Sequence, residues 1–344
     1  MKQTAMGDER IAWFCAYTPL ELLLAAGLEP VRSFGNPVRI DDSDALLHPA
    51  ICPYVRACLA EAMESKESHH AVFVNSCDGM RRLYDVWKDL FPDDFVFLLD
   101  LPRNTGKAGQ HIMAEEYRHL LAALCAFRGR EITRDDLVAS CRAREELRQS
   151  YLSLAEGTNG AARMRLAQEF QSLPGSTMNG GAAGAPVSPA AQASPGVPIL
   201  LTGNLLNPAG LVSLLEEAGA RVAWADLCNG DRAFAASTMA EGEDLEEVLD
   251  GLAAAYLERP PCARMLDAEK RYRILVENAR SAGARGIVYA SLKFCDSYLY
   301  EFPRARERLR REGIPVLRLE SDYADGHAGQ VLTRVEAFLE MISK

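Results

Sequence analysis

Gly286-Ile287-Val288-Tyr289, a helical stretch from Ser297 to Arg311, and Ile314-Pro315-Val316-Leu317-Arg318-Leu319 read in order as strand, helix and strand. The apolar runs are short, β-branched and bounded by turn residues, which favours strands over buried helices. A helix between two strands allows a crossover, so the strands lie parallel. Strands of a parallel sheet are covered on both faces, which suits continuous apolar runs. Working outward, the same grammar recurs. Pro198-Ile199-Leu200-Leu201 and Arg221-Val222-Ala223-Trp224-Ala225 read as strands. Pro208 to Ala218, Leu266 to Ala282 and Gln330 to Ile342 read as helices.

The first part of the chain alternates in the same way. Ile11-Ala12-Trp13-Phe14, Ala71-Val72-Phe73-Val74 and Phe95-Val96-Phe97-Leu98-Leu99 read as strands. Pro19 opens a helix whose apolar face is Leu20, Leu23 and Leu24, and Gly27 closes it. Further helices are expected over Gly79 to Leu90, Ala108 to Phe127 and Arg134 to Tyr151, the last behind a Thr133 cap. Leu173 to Pro198 is rich in Gly, Ala, Ser and Pro and has no hydrophobic period, the signature of a linker. The expected organisation is an N-terminal α/β domain over 1–155, a flexible connection over 156–198 and a C-terminal α/β domain over 199–344. Two doubly wound α/β domains would then face each other across a cleft, with ligands beyond the carboxyl ends of the strands.

Composition bounds the function. The 344 residues suit two domains, and 48% hydrophobic with 25% charged residues is ordinary for a globular chain. A net charge of −10 argues against a nucleic-acid partner, whose footprint is basic. No apolar run approaches the ~18 residues of a membrane span, so no membrane partner is expected. Met1 to Arg10 is polar with both signs of charge, unlike a secretory signal peptide. A cytoplasmic location is therefore expected. There thiols stay reduced, so the nine cysteines do not form a disulfide framework.

The cysteines fall in a pattern. Cys15, Cys77, Cys228 and Cys295 each follow an expected strand, where helix starts and turns favour a thiolate. Cys52 and Cys262 sit in Pro-marked loops. Cys58, Cys125 and Cys141 lie inside helical patterns and read as inert core. There is no C-x-x-C pair, which speaks against a zinc ribbon. The six histidines carry no metal spacing: His69-His70 reads as solvated chain, and His48 and His327 as loop residues. Soft thiolates without histidine favour an iron–sulfur group assembled between domains. The residues alone stop short of a reaction.

Several stretches resemble the 2-hydroxyacyl-CoA dehydratase and benzoyl-CoA reductase subunit family, which includes the double-cubane cluster proteins. They are Phe14-Cys15-Ala16-Tyr17-Thr18-Pro19-Leu20-Glu21, Ile51-Cys52-Pro53 and Ser76-Cys77-Asp78-Gly79 in the first half. In the second half they are Asp226-Leu227-Cys228-Asn229-Gly230, Pro261-Cys262-Ala263-Arg264, Leu292-Lys293-Phe294-Cys295-Asp296 and Glu320-Ser321-Asp322-Tyr323. The resemblance implies two Rossmann-like, doubly wound parallel-sheet domains with an iron–sulfur cluster in the cleft between them. It implies a 4Fe-4S cluster held at Cys52, Cys77 and Cys295, or a double-cubane, eight-iron group that adds Cys15, Cys228 and Cys262 as ligands. It further implies an ATP-hydrolysing iron–sulfur activator protein that delivers a low-potential electron. That electron makes a ketyl radical of an acyl-CoA thioester and lets the 2-hydroxyl leave, or reduces an aromatic ring. A homodimer, or a heterodimer with a related subunit, goes with this family. The chain is then a lyase or an ATP-dependent reductase, or else a non-catalytic relay or scaffold subunit.

Other residues carry weaker signals. Lys293 and Glu320 are candidate catalytic groups, since both lie in the resembling stretches. Asp78 and Asp296 flank cluster cysteines but read more simply as helix caps. Arg81-Arg82 is a candidate for phosphate contacts and otherwise a solvated helix face. Thr202-Gly203-Asn204 precedes a helix and is a candidate anion site.

Overall fold

The computed structural model describes residues 10–158, 160–172, 196–323 and 328–344. Its first part runs β1 (Arg10–Trp13), α1 (Leu20–Ala25), β2 (Glu29–Arg32), α2 (Pro53–Glu64), β3 (Ala71–Val74), α3 (Asp78–Leu90) and β4 (Val96–Leu99). Three helices follow: α4 (Lys107–Arg128), α5 (Arg134–Ala155) and α6 (Gly160–Ser172). The second part runs β5 (Val197–Gly203), α7 (Pro208–Glu217), β6 (Ala220–Asp226), α8 (Leu245–Glu258), α9 (Ala268–Ser281), β7 (Gly286–Leu292), α10 (Asp296–Arg311), β8 (Val316–Ser321) and α11 (Ala328–Ser343). Two four-stranded sheets form, in the orders β2-β1-β3-β4 and β6-β5-β7-β8. Every pairing in both is parallel. This is the expected α/β architecture of two Rossmann-like units.

The two sheets share one topology. In each, the strand order reverses between the two central strands, β1 and β3 or β5 and β7. That reversal is a topological switch point, where ligands bind beyond the strand ends. Cys15 lies just past β1, Cys77 past β3, Cys228 past β6 and Cys295 past β7. The fold therefore presents four thiols at carboxyl strand ends. Local chemistry supports the elements around them. Thr133 and Asp136 form a reciprocal capping box on α5. Asp244 caps α8 through the backbone nitrogen of Glu247. Gly203 ends β5 so close to β7 that a Cβ there would lie 1.8 Å from the carbonyl oxygen of Ala290.

The structure corrects the expectations at three elements. The sequence pattern does not announce β2: its four residues include Pro30, which has no N–H for a ladder. An edge position tolerates that proline. The stretch 156–198, expected as a flexible connection, contains α6 and the start of β5. Residues 173–195 of the linker lie outside the described residues. Finally, α8 is an addition to the expected helices. It crosses to the first sheet, where Val248, Leu249, Leu252, Tyr256 and Leu257 join one core with Ile11, Leu22, Tyr117 and Leu124. Conversely, α6 packs on α7 and β6 of the second half and supplies Met164 to a core that both sheets share. Each half thus lends a helix to the other. Among the described residues, no helix is long and apolar enough to cross a membrane.

Candidate cysteine-lined centre

Cys52, Cys77 and Cys295 occupy the same local position: each is the residue before the first turn of a helix, α2, α3 and α10 respectively. Helix starts carry unpaired N–H groups that favour negative charge. Cys77 uses this directly, its Sγ accepting a hydrogen bond from Met80 N at 3.4 Å. Cys262 lies between α8 and α9, and its Sγ accepts from Arg264 N at 3.3 Å. Cys228 Sγ accepts from Arg232 Nη1 at 3.6 Å.

These five cysteines and Cys15 line one cavity between the two sheets, together with Phe14, Tyr17, Tyr54, Met80 and Tyr298. The cavity volume is about 120 Å³, smaller than the ~300–1,000 Å³ typical of small-molecule sites. A second, outer cavity is lined by Cys52, Cys77 and Cys295 but not by the other three. The thiols therefore divide into an outer set and an inner set of Cys15, Cys228 and Cys262. The electrostatics follow the same division. Cys52 lies within electrostatic reach of Cys77, and Cys295 of both. Cys262 lies within reach of Cys228 and Cys15. Cys58, Cys125 and Cys141 line neither cavity; Cys58 and Cys141 are buried in helix packing.

Burial dominates the thiol chemistry. It pushes Cys15 up to about 11, and Cys52 and Cys262 up to about 12. Cys77 and Cys295 are raised for the same reason. Without bound metal, burial favours the protonated form of these five thiols. Among the described residues no three Cys, His, Asp or Glu side chains converge on one point as a single metal ion requires. The six thiols line one shared space.

The wall of this cavity is cationic. Arg32, Arg232, Arg259 and Arg264 line it, and among the described residues no Asp or Glu does. Arg232 is anchored by Asp226, and its Nη1 also donates to the Tyr298 hydroxyl at 2.6 Å. Behind it Arg271 bridges Asp226 and Glu301, which in turn accepts from the Tyr289 hydroxyl at 2.6 Å. Arg259 donates to the carbonyls of Ala16 and Ala233, at 2.7 Å each. Thiolate-bound clusters carry negative charge, so donors and counter-charge together fit an iron–sulfur group. Sequence reading missed these arginines. Their signal was proximity to cysteine: Arg232 is four residues after Cys228, and Arg259 three before Cys262.

The weaker candidates separate. Lys293 pairs with Asp322 at 2.8 Å and Glu320 with Arg318 at 3.0 Å, and neither lines the inner or the outer cavity. Asp78, Asp296 and Arg81 line the outer cavity, and Arg81 donates to Asn75 at 3.0 Å. Arg82 pairs with Asp85 at 2.8 Å on a solvated face. Thr202 is structural: its hydroxyl donates to Asp226 at 2.6 Å. Asn204 does line the inner cavity, and its Oδ1 accepts from Leu292 N at 3.3 Å. His69 and His70 are not solvated. His69 stacks on Phe91 and His70 contacts Asp94, which ties β3 to the turn before β4. His327 lies outside the described residues.

Comparison with known proteins agrees with this geometry. A family described as 2-hydroxyglutaryl-CoA dehydratase, D-component, matches residues 15–342. The chain is 24% identical to the (R)-phenyllactyl-CoA dehydratase beta subunit of Clostridium sporogenes, covering 99% of this chain and 93% of that one. It is 23% identical to a benzoyl-CoA reductase subunit of Thauera aromatica, covering 96% and 90%. It is 22% identical to the beta subunit of (R)-2-hydroxyglutaryl-CoA dehydratase from Acidaminococcus fermentans, covering 99% and 94%.

Proposed function

Because the chain belongs to the 2-hydroxyglutaryl-CoA dehydratase D-component family, we propose that it is the iron–sulfur subunit of a dehydratase-like enzyme acting on an acyl-CoA. The relatives are named as dehydratases and a reductase, so an enzyme of that kind fits. In this reading Cys52, Cys77 and Cys295 hold a 4Fe-4S cluster, and a second, related polypeptide makes up the rest of the enzyme. An ATP-hydrolysing activator protein delivers the electron. When bound, the cluster supplies one-electron transfer at low potential. The observation that carries the reading is the convergence of six cysteines, from both halves of the chain, on one cationic cavity.

The chain's own residues have definite tasks. The three helix starts present thiols whose deprotonation the first-turn N–H groups favour. Arg232, Arg259 and Arg264 supply positive charge beside them. Phe14, Val55, Leu205 and Met80 make much of the remaining wall apolar and limit water.

The division of the thiols favours a second reading, a double-cubane group that engages the inner set as well. The function is tested by electron delivery. The anaerobically loaded chain is mixed with an ATP-hydrolysing activator from a relative, and reduction is followed by EPR. An ATP-dependent signal from the chain is expected. A chain that loads iron but is never reduced in the presence of ATP would overturn the dehydratase reading.

A further inference from the structure

Arg32 is a buried cation that the described residues leave without a counter-ion. It ends β2 and is 3% exposed. Its Nη1 donates to the Gln171 side chain and to the carbonyl of Cys228, at 2.8 Å for the latter. Both acceptors are neutral. The guanidinium carbon lies 4.7 Å from the Trp13 ring centroid and 5.5 Å from that of Phe34. Nε and Nη2 are buried with no hydrogen-bond partner. A buried guanidinium in this state carries an uncompensated desolvation penalty. Arg232 differs, because Asp226 already neutralises it.

The unmatched charge has an outlet. Arg32 lines the inner cavity beside Cys15 and Cys228. Its placement is built, not incidental: α6 brings Gln171, whose Nε2 donates to Asn229 O at 3.2 Å, so the clamp spans β2, α6 and the turn after β6. Burial raises the Cys15 thiol, and the Arg32 charge is among the effects that oppose it.

We propose that Arg32 is the charge-compensating residue for the iron–sulfur group, its guanidinium charge standing beside the anionic sulfur held on the Cys15–Cys228 side. This rests on the reading that the inner thiols hold iron. Removing a cation beside a reducible, negatively charged group makes the added electron less favourable, so the potential falls. A residue that merely clamps β2 to α6 would change stability and leave the potential alone.

The test compares the anaerobically loaded wild type with R32Q and R32K by iron and sulfide content and by EPR-monitored redox titration. In R32Q the midpoint of one signal should fall by a tenfold or larger change in the one-electron equilibrium, about 59 mV. Loss of the inner iron, with R32K restoring it, is equally supportive. R32Q with wild-type iron and an unmoved potential overturns the proposal, whatever its melting temperature. A second measurement needs no stable glutamine variant. Chain labelled with 15N-arginine should show nitrogen hyperfine coupling on the reduced cluster, and R32K should weaken it. No such coupling, or coupling unchanged in R32K, overturns the proposal. If wild-type iron content is untouched by C15S, C228S and C262S, the inner-thiol reading fails and takes this inference with it. An unmoved R32Q potential in an otherwise fully loaded chain removes this inference alone.

Discussion

Arg232 grips Asp226 with two nitrogens, Nε at 2.9 Å from Oδ1 and Nη2 at 2.8 Å from Oδ2, and both residues are almost fully buried. The pair stands directly behind Cys228, so the shape of the inner cavity depends on it. Removing one partner leaves a buried charge unmatched, which costs about 3–5 kcal/mol. D226N should lose roughly that much in chemical denaturation, with a Thr202→Val control losing less.

The same pair sets an acid limit. Burial alone would raise the Asp226 carboxyl, but Arg232 and Arg271 override it and hold it below the ordinary carboxylate range. The contribution is fully present above the unfolded value of about 3.9 and is lost as pH falls through the lower folded value. The stability gap between wild type and D226N should therefore be constant at neutral pH and close below about pH 4. A gap that does not change on acidification would contradict this assignment.

The cavity thiols titrate in the opposite sense. Burial raises Cys15 to about 11 and Cys52 and Cys262 to about 12. Stability from keeping them protonated is complete below the unfolded value of about 8.5 and is lost as pH rises through those folded values. The metal-free chain should thus weaken between about pH 8.5 and about pH 12, and C52S/C262S should weaken less. Iron must displace those protons, so loading should acidify a weakly buffered solution and proceed further at higher pH.

Tyr256 on α8 ties the second half to the first. Its hydroxyl donates to Thr18 O at 2.9 Å or Glu21 Oε2 at 2.8 Å, and accepts from Leu20 N at 3.2 Å. Y256F leaves these buried groups unsatisfied and should cost about 1–3 kcal/mol. Iron content should be unaffected once the variant is folded.

Replacement of the nine cysteines one at a time should sort them. C52S, C77S and C295S should each lose most of the iron of the outer set. C58S, C125S and C141S should keep full iron, with C58S and C141S losing stability because a hydroxyl replaces a buried thiol.

The sequence was most legible where one local rule sufficed. Buried parallel strands such as Gly286–Leu292 are apolar throughout, and cysteines directly after them are visible by position alone. β2 was hidden because Pro30 and two charged end residues mask a four-residue edge strand. α8 has a readable period in Val248, Leu249, Leu252 and Tyr256, but its Ala-rich middle and Gly251 weaken the stripe. Nothing local says that it packs across to the first sheet. The arginines of the cavity left only a faint mark, closeness to cysteine for Arg232 and Arg259, because arginine is usually solvated; burial of Arg32 at the end of β2 depends on contacts with α6 that are distant in sequence.

Whether these six thiols hold an iron–sulfur group is tested most directly by iron and acid-labile sulfide per chain after anaerobic reconstitution, read with EPR of the reduced protein. The expected result is brown protein with about four of each if the outer set alone is used, or about eight if the inner set joins it. Colourless protein with no stoichiometric iron or sulfide, from a chain shown to be folded, would contradict it.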